Sequence, residues 1–317
     1  MTSWHDSALV TGAEPTIESV ERRAGEILKV RPAYGEIVDF YLRVFRVQLA
    51  WQGKVRARAV RDSVADCLGL GVPLASRLDP GLDVSSLLGL WQEMKAVFGG
   101  GNKVLGKLAA TVDKAESHGN LDPGPWLSSL RPWEPGLVEE AARRIGVDAD
   151  ALLTLARAVT VPHWRAVAHA WLGSGALLAW KHFECPVCGD RPALGELRTG
   201  PQGQTELKVS PERVMHCAFC GTAWAAASLA CPGCASSDAG DAKYYFSPDD
   251  RAIRIDFCKR CKCYLKVIDG SLVVGPLYVA LELVASAHVD RVAVGRGLKP
   301  LSESGRPVTA GVKEERQ

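Results

Sequence analysis

Four Cys-x-x-Cys pairs, Cys185/Cys188, Cys217/Cys220, Cys231/Cys234 and Cys258/Cys261, restrict the fold of this chain more than any other feature of it. Two residues between thiols let a tight turn aim both sulfurs at one point, while turn N–H groups face the thiolates. Two such knuckles complete a tetrahedron of sulfur around a metal, at about 2.3 Å per bond for zinc. Eight thiols therefore make two sites.

The intervals rank the ways of pairing the knuckles. First with second encloses 28 residues (189 to 216) and third with fourth encloses 23 (235 to 257). Each has room for a small β-hairpin or meander, and each runs somewhat beyond the ~15–20 residues of the common ribbon pattern. Joining second to third leaves 10 residues in one loop and 69 (189 to 257) for the other, one site cramped and the other costly to close. A cross-braced arrangement, first with third and second with fourth, also remains open. The sequential pairing is favoured, with Cys185, Cys188, Cys217 and Cys220 as site 1 and Cys231, Cys234, Cys258 and Cys261 as site 2. A thioredoxin-like redox pair would sit beside a βαβ pattern, and none surrounds these pairs. Tetrahedral sulfur suits zinc and a rubredoxin-like iron centre alike.

The two other cysteines read differently. Cys67, among apolar neighbours in DSVADCLGLGV, reads as a small core residue. Cys263, two residues beyond Cys261, is expected to point away from the metal. His216 precedes Cys217 directly and reads as a hydrogen-bonding neighbour rather than a ligand.

With 317 residues, about two domains are expected. The hydrophobic content of 47% and charged content of 23% are those of an ordinary folded protein, so neither disorder nor a fibrous class is suggested. The start MTSWHDSALV lacks a basic region followed by an apolar run, which argues for a cytoplasmic protein. The most apolar stretch, Ala166 to Trp180, has 15 residues, too few to cross ~30 Å of hydrocarbon as a helix.

The first half has helical periodicity. In EIVDFYLRVFRVQLAWQ, Glu36, Asp39, Arg43 and Arg46 mark a wet stripe beside Val38, Leu42, Phe45 and Leu49. Asp39 and Arg43 stand at i,i+4, a pair worth only ~0.2–0.5 kcal/mol. Further helices are expected at about 55–68, 84–98, 137–145 and 150–159, with Pro162 starting another that runs to about 182. GLGVP, FGGGN and LDPGPWLSSLRPWEPG read as breaks. FGGGNK lacks the ending of a phosphate loop and serves as a connector. His163, Trp164, His169 and Trp171 read as packing residues. From Cys185 the texture turns extended, with RVMHC, KYYF, RAIRIDFC and YLKVI as strands, before a helix in PLYVALELVASAHVDRVAV and a polar tail.

Charge weighs against a nucleic-acid-binding zinc ribbon. Residues 181–270 hold twelve bases and eleven acids, and two tetrathiolate sites around divalent ions would bring the region to about −3. Phosphate neutralisation needs a clustered positive surface, and only KRCKCYLK is locally basic. Nor is there an HExxH or GxSxG, and a closed sulfur site leaves no coordination position for a substrate. Binding or redox service fits better than catalysis.

The order CPVCG, HCAFCGTAW, CPGC, KYYFSPDD, CKRCKCYLKVID behind a helical half resembles the FdhE family, formate dehydrogenase accessory proteins. The likeness is strongest over about 180–290. It implies an α+β multidomain protein: an α-helical N-terminal domain (1–182), two tandem rubredoxin-like or zinc-ribbon modules (183–229 and 230–275), a C-terminal helix (276–300) and a disordered tail (301–317). It also implies a non-enzymatic cytoplasmic factor, without nucleic acid or membrane insertion, that binds the catalytic molybdenum or tungsten subunit of formate dehydrogenase. Two metal ions, iron or zinc, each in a tetrahedral four-cysteine site, would sit on the eight paired cysteines. Cys263 departs from the glycine expected after the fourth pair. A rubredoxin-like electron-transfer or thiol-redox protein is the alternative.

Overall fold

The computed structural model describes residues 15–57, 64–131, 134, 136–172, 180, 182–198, 212–225, 230–247, 250–273 and 277–303. Its helices are α1 (Ile17–Val30), α2 (Gly35–Gln52), α3 (Val64–Gly69), α4 (Val84–Gly99), α5 (Lys103–Ser117), α6 (Pro123–Ser129), α7 (Gly136–Ile145) and α8 (Ala149–Trp171). Asp83, Asn102, Asp122 and Asp148 cap α4, α5, α6 and α8 by accepting from first-turn N–H groups that have no partner inside the helix. α2 to α8 except α3 surround one core in which Leu87, Leu90, Trp91, Met94 and Leu155 are fully buried. The Asp39–Arg43 pair forms at 3.3 Å on an exposed side of α2.

Several expectations change. α1 and α5 are additional helices, and part of the Pro/Gly-rich stretch read as a break winds into α6. Residues 55–57 are not helical and 58–63 lie outside the described residues, so only α3 stands where a longer helix was expected. Pro162 starts nothing: it lies inside α8, which runs unbroken from 149 to 171. An interior proline has no N–H for the carbonyl four residues back and ordinarily costs about 3 kcal/mol. Here that carbonyl, Ala158 O, accepts instead from Gln48 Nε2 of α2 at 2.8 Å, in a buried contact. The neighbouring helix supplies the donor that the proline lacks.

Beyond α8 come β1 (Leu194–Arg198), β2 (Glu212–His216), β3 (Ala223–Ala225), β4 (Ala242–Ser247), β5 (Asp250–Cys258) and β6 (Cys263–Asp269). The sheet order is β3-β2-β1-β6-β5-β4. Two antiparallel three-stranded units thus meet where β1 and β6 run parallel, Gly195 opposite Val267. A Cβ on Gly195 would lie 3.1 Å from the Val267 side chain, which explains a glycine at this seam. The expected C-terminal helix divides into α9 (Val279–Ala285) and α10 (Ala287–Gly295), after which β7 (Lys299–Pro300) pairs with the start of β6.

The sheet is covered on both faces. Met215, Leu265 and Val267 face the helical half and join Trp164, Val167 and Trp171 of α8. Ile253, Ile255, Tyr264 and Ile268 pack with Val289 and Ala293 of α10 on the other side. α9 then returns to α1 and α2, and Arg23 Nε meets the buried Glu282 at 2.6 Å. Among the described residues no helix is long and apolar enough to cross a membrane. Residues 173–179 of the most apolar stretch, and 304–317 of the tail, lie outside them.

Replacing Gln48 by Leu should strand the Ala158 carbonyl and cost about 1–3 kcal/mol. In a Pro162→Ala background residue 162 regains its N–H, and the same change should cost less. Denaturant unfolding of the four proteins of this cycle measures the difference, and equal losses in both backgrounds would refute the account.

Candidate metal centres

The knuckles share a backbone logic. In three of them the first cysteine donates its N–H to a carbonyl five residues on, Cys185 to Asp190 at 2.7 Å, Cys217 to Thr222 at 2.9 Å and Cys231 to Ser236 at 2.8 Å. The residue after the second cysteine returns its N–H to the first cysteine's carbonyl, as Gly189, Ala235 and Lys262 do. Turn N–H groups point at sulfur: Phe219 and Cys220 at Cys217, and Gly233 at Cys231. To close, each turn takes a positive φ just after its second cysteine, at Gly189 (74°), Gly221 (73°), Ala235 (57°) and Lys262 (60°). The position that calls for glycine after the fourth pair is thus Lys262, not Cys263.

The knuckles converge two by two. Cys185, Cys188, Cys217 and Cys220 form one cluster, and Cys231, Cys234, Cys258 and Cys261 the other, each with its sulfurs within 4.8 Å of one another. This is the sequential grouping. Sulfurs of facing knuckles stand 3.4 Å (Cys185–Cys220), 3.5 Å (Cys188–Cys217), 3.6 Å (Cys231–Cys261) and 3.8 Å (Cys234–Cys258) apart. A tetrahedron with bonds of about 2.3 Å has edges of about 3.8 Å, so both clusters fit an ion of zinc or iron size. All ten cysteines are free thiols.

The clusters differ in environment. The first is wholly buried, its cysteines no more than 1% exposed. Burial pushes the Cys185 and Cys188 thiols well above their usual range. Burial also opposes charge on Cys220, yet hydrogen bonds from the other three cysteines and from Thr222 Oγ1, 3.0 Å away, draw its thiol below that range. Four thiolates there require a cation to compensate them. In the second cluster only Cys258 is buried, while Cys231, Cys234 and Cys261 are half-buried.

The first cluster is also stitched to the helices. Leu74 and Ala75 donate to the knuckle carbonyls of Pro186 (2.8 Å) and Val187 (2.9 Å). Phe219, inside the second knuckle, lies 5.4 Å from the ring of Trp164. His163, Trp164 and Trp171 are buried packing residues, whereas His169 is exposed. Cys67 is buried in this same core. His216 turns from the metal cluster to Glu196, 2.8 Å away. Against the cost of burial, His216 and Arg198 hold the Glu196 carboxyl down at about 2, so the carboxylate accepts and Nε2 of His216 donates. Cys263 is buried beside the second cluster, its Sγ 3.6 Å from the Cys261 carbonyl and outside the four-sulfur group.

No protein-family profile matches the chain. Two curated proteins do: "Protein FdhE homolog" of Aquifex aeolicus, 28% identical over 118 residues (37% of this chain, 39% of that one), and "Protein FdhE homolog" of Haemophilus ducreyi, 25% identical over 133 residues (42% and 40%). The chain spans about two fifths of the length of these relatives. The crystal structure of the FdhE protein from Pseudomonas aeruginosa superposes with a TM-score of 0.60 at 17% identity, covering 95% of this chain and all of that one, a likeness of fold. The two curated relatives carry the family name that the order of cysteine motifs resembles, and the solved structure shares the fold.

Non-glycine residues at positive φ cost about 1–2 kcal/mol each. Lys262→Gly should therefore stabilise the second cluster by about 1 kcal/mol, and Gly189→Ala should destabilise the first by at least as much. Thermal unfolding of the two variants beside the parent checks both signs. A Lys262→Gly protein that melts no higher than the parent would refute the strain.

Proposed function

We propose that this chain is a non-catalytic, cytoplasmic accessory protein needed for active formate dehydrogenase, and that it binds the catalytic molybdenum or tungsten subunit. The observation that carries the reading is the convergence of four cysteine pairs into two closed sulfur clusters, in a chain whose motif order resembles the FdhE family and that is similar to two proteins of that name. Cys185, Cys188, Cys217 and Cys220 would hold one iron or zinc ion, and Cys231, Cys234, Cys258 and Cys261 the other. Such an ion supplies cross-linking rather than Lewis-acid chemistry, because four sulfurs leave no position for a substrate. The protein's own residues do the remaining work: the turns aim the sulfurs, Thr222 donates to Cys220, and the continuous sheet ties the modules 183–229 and 230–275 into one rigid platform for a partner.

A rubredoxin-like electron carrier is the second reading, favoured by the half-buried sulfurs of the second cluster. Elemental analysis of protein purified without added metal should give two ions per chain. Zinc in both sites, with no reversible redox signal, would exclude the electron carrier. Co-purification with the catalytic subunit is the expected result for the accessory role, and normal formate dehydrogenase activity in a deletion strain would sink it.

Metal binding at such sites is folding free energy, ~10–16 kcal/mol for structural zinc in small peptides. Replacing Cys217 and Cys220 by Ser should abolish the cooperative unfolding of the whole chain, because that cluster sits in the core shared with α8. Replacing Cys231 and Cys234 should loosen only the knuckle that carries them, leave β6 in place and spare the transition of the helical half. Calorimetry and hydrogen exchange distinguish the two, and equal damage from both pairs would contradict the difference.

A further inference from the structure

Among the described residues β4 is the outermost strand of the sheet on the side of the second cluster. It carries three consecutive aromatic residues, Tyr244, Tyr245 and Phe246, with exposures of 59%, 37% and 63%. Long apolar edges invite pairing with other chains, and proteins ordinarily blunt them with charge, proline or irregularity. Here Lys243 and a register shift at Phe246/Ser247 leave the aromatic run open between them.

The register puts Tyr244 and Phe246 on the same face as Asp256 and Arg254 of β5. The two rings stack 6.3 Å apart, and the Arg254 guanidinium sits 5.2 Å from the Tyr244 centroid. Beside them opens a cavity of about 180 Å³ whose lining includes Arg213, Tyr244, Arg254, Asp256, Gly233 and Cys263. Two guanidinium groups share one carboxylate there: Arg213 Nη2 lies 3.2 Å from Asp256 Oδ2, and Arg254 Nε 2.7 Å from Oδ1. Arg213 is only 8% exposed, yet its Nε has no hydrogen-bond partner among the described residues. A buried donor left over beside a cavity calls for an acceptor, and two guanidinium charges against the single Asp256 carboxylate favour an anionic one. Lys259, Arg260 and Lys262 are exposed on the adjoining knuckle and add positive charge.

We propose that β4 is a docking edge for an extended acidic peptide segment of a protein partner. The segment pairs its main chain with β4, lays apolar side chains on Tyr244 and Phe246, and sends an Asp or Glu carboxylate to Arg213 and Arg254. Strand addition of this kind takes affinity from main-chain hydrogen bonds and specificity from pockets at alternate side chains. A nucleic acid fits less well, because the Tyr244 ring is already engaged by Phe246 and Arg254. A second copy of this chain would bring its own β4, which carries Lys243 and no acidic residue, to the two guanidinium groups. The inference rests on the reading of the chain as a binding protein and is independent of the partner's identity.

The test screens the full-length, metal-loaded protein against a displayed library of random nine-residue peptides. Enriched sequences should carry Asp or Glu at one fixed position, flanked at alternate positions by apolar residues. The synthetic peptide should lose affinity about tenfold or more, by fluorescence anisotropy, with Arg254→Gln, and likewise when alternate backbone nitrogens are methylated. Arg213→Gln should do the same; if that buried change prevents folding, Arg254→Gln carries the test alone. Failure to enrich acidic sequences, indifference to Arg254→Gln or to N-methylation, stronger binding of an oligo-dT competitor, or a β4-dependent dimer in light scattering would each overturn the proposal. If the peptide site fails while formate dehydrogenase still co-purifies, only this inference falls. An acidic peptide bound at β4 with no effect of gene deletion on formate dehydrogenase would strike only the accessory role.

Discussion

The turn from Cys185 to Gly189 joins the sulfur cluster to the helical half. Its sulfurs belong to a buried cluster, and its Pro186 and Val187 carbonyls accept from Leu74 and Ala75 of the helical half. The facing knuckle sets Phe219 against Trp164 at the middle of α8. A buried tetrathiolate cannot stand without a cation, and burial alone drives Cys185 and Cys188 toward the neutral thiol. The core between α8 and the sheet is therefore conditional on what the cluster holds. Trp164, Trp171, Met215, Leu265 and Val267 pack in one body with the cysteines, so cluster and core stand or fall together.

The second cluster obeys the same turn geometry under looser terms. Its two positive-φ positions are Ala235 and Lys262, where the first cluster uses Gly189 and Gly221, and three of its sulfurs are only half-buried. Less burial means less desolvation to offset, and backbone strain means a smaller margin for holding the turn. One cluster thus suits permanence, the other access. That division places the accessible cluster, the exposed aromatics of β4 and the Arg213–Asp256–Arg254 group at the same outer end of the sheet.

The cysteine grouping was legible because loop lengths alone rank the ways of closing two sites, and β2, β4, β5 and β6 because alternating β-branched and aromatic residues mark them locally. Cys67, Trp164 and Trp171 fell into the core, as apolar neighbours suggest. The failures have physical causes. Pro162 stops a helix unless another element feeds the carbonyl it abandons, and Gln48 lies 110 residues from that carbonyl in sequence. α5 is signalled by its Asn102 cap and by Leu105, Leu108 and Val112, but the preceding run of glycines masks it. β1 contains Gly195 and Glu196, poor strand formers that make sense only against Val267 and His216. The pairing of β1 with β6 has no local signature at all.

That pairing decides how the two cysteine modules behave together. Modules joined only through residues 226–230 could pivot; modules whose strands are hydrogen-bonded from Gly195/Val267 to Leu197/Asp269 move as one sheet. β6 is the shared member, with Leu265 and Val267 in the core around the first cluster and Tyr264 and Ile268 in the core under α10. It begins at Cys263, two residues beyond Cys261 of the second cluster. A shift of the outer knuckle would have to move the strand that supports the inner one. α9 and α10 bind the opposite face of that strand and, through Glu282 and Arg23, the first helix of the chain. The sheet is a strut clamped at both faces, and the outer cluster with its open edge is what the strut presents.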